Sequence, residues 1–135
     1  MDTDAITESL ERVAELCDDP TAAVYGLLFS RHREMRDLFV RDTDGAVRGQ
    51  MLQQATEIIL DHIGAHSFSA NFIACEVVNH ENLGVPPAVF ASFFAVMRDA
   101  FRDILGRDWT ARCDGAWTQL VAELSAAAGA ETVLS

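Results

Sequence analysis

Lysine is missing from this sequence: all ten basic residues are arginine, set against twenty-one acidic ones. The resulting net charge of −11 repels phosphate backbones and anionic lipid, so neither nucleic acid nor a membrane surface is expected as a partner. The arginine bias fits either a GC-rich coding sequence or a salt-rich cytoplasm. Missing too is any uncharged apolar run of about eighteen residues, the length that would suggest a membrane span. The opening Met1-Asp2-Thr3-Asp4 is acidic where a secretory leader would be basic and then apolar. A soluble, cytoplasmic protein is the expectation. Cysteine is scarce: Cys17, Cys75 and Cys113 are odd in number and widely spaced, with no C-x-x-C pair, which excludes a disulfide framework and a cysteine-based zinc site. They are expected to be reduced and mostly buried. Internal repeats, low-complexity linkers and strand-like alternation are absent as well.

What the chain does have is apolar bulk at helical spacing. Half of its 135 residues are apolar, enough for one core and too few for two ordinary domains. A single domain over 1–135 is expected, with its core in about 5–127 and a frayed tail from about 128 to 135. Ile6, Leu10, Val13 and Cys17 mark a first helix over about 4–17. Asp19 and Pro20 open a second over 20–31, and Arg33 to Leu38 adds a short turn of helix. Asp42-Thr43-Asp44-Gly45 breaks the pattern before a long amphipathic segment from Ala46 to Ile63, with Arg48, Leu52, Ala55 and Ile59 in one row. A helix over 68–79 follows. Pro86-Pro87 opens the strongest element, in which Phe90, Phe94, Met97, Phe101 and Leu105 recur until Gly106, and a last helix spans 110–127. The fold class read from this pattern is all-α, with six to eight helical segments.

Four histidines, His32, His62, His66 and His80, are the candidate ligands. A lone histidine beside an apolar stripe is ordinarily structural or a surface residue. His80 stands three residues after inward-facing Val77, near a helix end and just ahead of the longest aromatic stripe. An imidazole there could turn one nitrogen into an apolar cavity and give its other N–H to a helix-terminal carbonyl. Neither H-x-x-x-H nor E-x-x-H with a partner cluster surrounds it, so a site built from protein ligands alone is disfavoured. Haem is different, because the porphyrin supplies four nitrogens and asks the chain for one axial ligand and a large apolar slot. From the residues alone, His80 remains either such a ligand or a helix-end polar group.

In order along the chain, a set of residues then resembles a known family. His80-x-x-x-Gly84-Val85-x-Pro87-x-x-Phe90 is similar to the proximal histidine and following turn of bacterial single-domain globins and of the haem domain of flavohaemoglobins. Tyr25-x-x-x-Phe29-x-x-His32-x-Glu34-Met35-x-x-Leu38-Phe39 is similar to their second and third helices, and Gly106-Arg107-Asp108-Trp109-Thr110 with Ala116-Trp117 to the start of their last. The likeness covers about residues 5–127.

The resemblance implies a globin fold around haem b, with His80 as the axial iron ligand, its remaining N–H held by a main-chain carbonyl of its own helix. Tyr25, the only tyrosine, would be the distal hydrogen-bond donor to a bound gas. Leu52, twenty-eight positions before His80, falls where that family places the apolar residue over the ligand, and Arg48 falls one turn earlier. The preceding loop is one residue shorter than the family pattern, which leaves the distal position at Arg48, Gly49 or Gln50. Arg48 would assist Tyr25 or pair with a haem propionate, with Arg41 as a second propionate candidate. Phe39, Val85, Phe90, Phe94 and Met97 would line the slot, as they would line any helical core.

Three activities follow from that implication. Nitric oxide dioxygenation would need a separate reductase, since the chain ends before any flavin or nicotinamide domain. Reversible O2 binding and supply, with NO and CO as further ligands, needs none. A sensor module acting through a partner is the third. Flavohaemoglobins have a tyrosine where Phe90 stands, and a last-helix glutamate where this chain has Thr132, with Glu131 adjacent. Their absence here implies a proximal side closer to that of an O2 carrier.

Overall fold

Asp2 starts the first helix. Its carboxylate accepts a hydrogen bond from the Ala5 amide at 3.1 Å, filling one of the donors that a helix start leaves open. The computed structural model describes residues 1–65 and 67–129. Among them, helix α1 spans Thr3–Leu16 and α2 spans Thr21–Arg31. Asp19 accepts from both the amide and the hydroxyl of Thr21, and a 3-10 segment, Arg33–Phe39, continues the chain. Gly45, at φ 75°, makes the turn into α3, Ala46–Ile63, whose first amides at Val47 and Arg48 donate to the Asp42 carboxylate. Helix α4 is Ser69–Asn82, α5 is Pro87–Leu105, and after a 3-10 turn at Gly106–Asp108 the chain ends its described part with α6, Ala111–Ala127. No strand occurs among the described residues.

Helix α5 is the axis of the packing: α1, α2, α4 and α6 all lie against it. Its Phe94, Met97, Phe101 and Leu105 are buried, as their spacing requires of a helix covered on one broad face. Phe101 meets Trp117 of α6 edge-on at 5.8 Å, and the buried indole N–H donates to Ser9 of α1 at 2.8 Å. Ala128 is still packed beyond α6; residues 130–135, which include Glu131 and Thr132, lie outside the described residues, as does His66.

Two expectations are corrected. The cysteines are not mostly buried: Cys113 is, Cys17 is half-covered, and Cys75 is exposed because it lies on the side of α4 away from buried Ile73. Helix α4 also runs three residues past Asn79. Its end is set by Gly84, at φ 97°, where a side chain would be strained. There the Val85 amide donates back to the His80 carbonyl at 2.8 Å and the Gly84 amide to that of Glu81 at 3.1 Å. His80 therefore sits in the last turn of a helix whose end is tied down.

The start of α4 is held by Asp61 of α3. Its buried carboxylate accepts from the Ser67 hydroxyl and from the amides of Ser67, Phe68 and Ser69. Burial pushes the carboxyl upward, but these four donors outweigh it and hold its pKa well below the usual carboxylate range. A depressed folded-state value means the stabilisation is full above the unfolded value, near 4, and is lost as pH falls through the folded one. Asp61→Asn should therefore lower the melting temperature at pH 7 by several degrees, and the gap to the wild type should narrow in strong acid. Thermal melts across pH check this; a gap independent of pH would dismiss the carboxylate.

Candidate functional site

Of α4, Ser69 and Ile73 alone are buried. Phe72, Glu76 and His80 recur every fourth residue on the same helix, so they share one stripe, and that stripe faces a cleft instead of core. The cleft, open to solvent on one side, is walled by side chains from four helices, the 3-10 segment and the turn after α4. Across from α4, Tyr25 and Leu28 of α2 and Phe39 of the 3-10 segment form part of the wall. Helix α3 contributes Met51, Gln54, Ala55 and Ile58; Met35, Val85 and, from α5, Val89, Phe90, Phe93 and Phe94 complete it. The lining is almost wholly apolar.

His80 is oriented by three contacts. Its Nδ1 lies 2.8 Å from the main-chain oxygen of Glu76, one turn back in α4, and 3.4 Å from that residue's carboxylate Oε2. An Nδ1–H donating to a carbonyl leaves the lone pair on Nε2. Phe90 presses against the imidazole in an edge-on contact, ring centres 4.9 Å apart. The ring is thus a preset single donor on the wall of an apolar cleft.

Tyr25 is the second feature. It is 1% exposed and caged by Phe29, Phe39 and Phe93, with ring centres between 5.5 and 5.9 Å away. The cage fixes the ring, yet its buried hydroxyl has no hydrogen-bond partner among the described residues. Burial pushes the phenol pKa above its ordinary value; nearby Arg48 pulls it down and Asp42 pushes it up, and burial prevails. The group is therefore a neutral donor with nothing among the described residues to donate to.

Of the residues expected around a cofactor, Tyr25, Phe39, His80, Val85, Phe90 and Phe94 lie on the cleft wall, and Arg48, Leu52 and Met97 do not. Leu52 and Met97 are buried in the core behind it. Arg48 is occupied: its Nε donates to Asp42 Oδ2 at 2.9 Å and its Nη2 to the Asp42 carbonyl at 2.7 Å. Gly49 and Gln50 are not on the wall either; the polar side chain that α3 places there is the exposed Gln54, and Arg41 is exposed in the turn before α3. Among the residues not foreseen on the wall are also Phe93, which packs on Tyr25, and Glu76, although the latter's spacing of four from His80 was visible. No group of three or more His, Cys, Asp or Glu side chains that could hold an ion occurs among the described residues. Among them, too, no helix is long and apolar enough to cross a membrane.

Compared with known proteins, the chain matches the family model for globins over residues 22–128, from within α2 to the end of α6. No curated protein and no solved structure matches.

Proposed function

The chain belongs to the globin family, a family of haem-based gas binders, and from that premise we propose that its cleft holds haem b on His80 and reversibly binds O2, with NO and CO as alternative ligands. The order of its motifs supports a further reading, that this globin is similar to the haem domain of flavohaemoglobins. One observation carries the reading: the buried, neutral Tyr25 hydroxyl has no partner among the described residues and shares a cleft wall with His80. A buried hydroxyl without a partner costs about 1–3 kcal/mol, a cost that is offset when the partner is a ligand.

The residues present fit the group. The cleft has the apolar lining a porphyrin needs, and the one imidazole on its wall has Nδ1 engaged and Nε2 bearing the lone pair. Haem supplies, when bound, an iron that takes a diatomic gas and can pass O2 on to NO as nitrate at the expense of one electron. Around it, His80 would hold the iron through Nε2, while Phe90 keeps the ring from turning. Tyr25 would donate its hydroxyl proton in a hydrogen bond to a polar gas ligand, which slows the ligand's escape. The apolar side chains of Phe39, Phe93 and Phe94 would keep water from competing for that bond.

Nitric oxide dioxygenation with a separate reductase is the second reading. The Glu76 carboxylate beside His80 favours it, since a more electron-rich imidazole suits oxidative chemistry. Titration with hemin tests the common premise. One equivalent should be taken up to give an intense Soret band that shifts on reduction and again on CO addition; a colourless protein that ignores hemin would end both readings.

A further inference from the structure

Resting on the haem reading of the cleft, we propose that Glu76 is a positioning residue for His80: its carboxylate stands beside the Nδ1–H and, by its charge, makes Nε2 a stronger donor to iron. The two side chains stand one turn apart on the same stripe of α4. Nδ1 lies 2.8 Å from the main-chain oxygen of Glu76, its hydrogen-bond acceptor, and Glu76 Oε2 stands beside the same N–H at 3.4 Å, within ion-pair reach. The other carboxylate oxygen, Oε1, accepts from the Asn79 amide at 3.4 Å, which leaves Oε2 turned to the imidazole. No arginine pairs with Glu76 among the described residues, so its charge is not spent on another ion pair.

Both side chains are largely covered, His80 being 20% and Glu76 25% exposed, and a charge so placed is less screened than one in water. A carboxylate near the N–H of a ligating histidine draws the proton toward itself and raises the basicity of the opposite nitrogen. Phe90 closes the arrangement by holding the ring against rotation at 4.9 Å. The proximal side thus gains from its own helix a carboxylate of the kind that the sequence lacks at Thr132.

Wild type, Glu76→Gln and Glu76→Asp, each loaded with hemin, would be compared by resonance Raman spectroscopy of the ferrous form and by redox titration. Glutamine keeps the shape and an acceptor oxygen but drops the charge; aspartate keeps the charge but withdraws it by one methylene. In both variants the iron–imidazole stretching frequency should fall and the midpoint potential should move positive, with hemin still bound. A residue that merely helps the helix to fold would move neither. Unchanged frequency and potential in both variants would overturn the role of Glu76 and leave the haem site standing. A wild-type chain that takes no hemin would instead overturn the cleft's reading, and this proposal with it. Should Glu76→Gln fail to fold, Glu76→Asp decides by the same two measurements.

Discussion

Hemin bound to His80→Gly is expected to dissociate at least about 100-fold faster than from the wild type, and its ferrous spectrum to lose the signature of an axial imidazole. The loss of an outer partner of a metal ligand typically costs about 10–100-fold in affinity, so the ligand itself should cost more. No second imidazole stands on the cleft wall. The other polar side chains there, Tyr25, Gln54 and Glu76, offer no imidazole nitrogen. Glycine in the last turn of α4 costs the helix up to about 1 kcal/mol, which the tied-down end at Gly84 can absorb. It also leaves a ring-sized space beside Phe90. Added imidazole should enter that space and restore the five-coordinate spectrum without restoring the covalent tether. Wild-type spectra and dissociation rates in His80→Gly would remove the ligand assignment, whatever the family likeness.

Why the sequence shows His80 well and its surroundings less well is a matter of what periodicity encodes. The bounds of α3 are legible because a glycine stands at each end of its amphipathic run, at Gly45 and Gly64. Its rotation is not. Of the row Arg48, Leu52, Ala55 and Ile59 the last three are buried, and the cleft is faced by Met51, Gln54, Ala55 and Ile58, about one residue further round the helix. Both rows are apolar enough to be buried, and hydrophobicity does not distinguish a wall that touches side chains from one that touches a cavity. Arg48 was diverted by a neighbour instead. Asp42, read as part of a helix-breaking turn, caps α3 and takes the guanidinium for itself. Glu76 is the converse case: its spacing from His80 is plain in the sequence, but a glutamate at that spacing on a polar-flanked helix ordinarily faces solvent. It takes the fold to show that this stripe of α4 lines a cleft.

Tyr25→Phe is expected to act with opposite signs on the empty and the ligand-bearing protein. In the absence of haem and gas the hydroxyl is buried without a partner, so its removal should leave the chain as stable or stabilise it by up to about 1 kcal/mol. The phenylalanine ring would keep the cage of Phe29, Phe39 and Phe93. With haem and O2 bound, the same change deletes a hydrogen bond to a polar ligand worth about 1.5 kcal/mol or more, so O2 should leave at least about tenfold faster. CO, a weaker acceptor, should leave at nearly its original rate. Because burial holds the phenol neutral beyond its ordinary pKa, the wild-type O2 off-rate should not respond to this group at any pH below about 10. Stopped-flow O2 and CO release, paired with thermal melts of the haem-free proteins, separates the two effects. A mutant that melts lower and releases O2 unchanged would mean that the hydroxyl serves the fold, and the distal site would then have to be built on Gln54 or on no polar group at all.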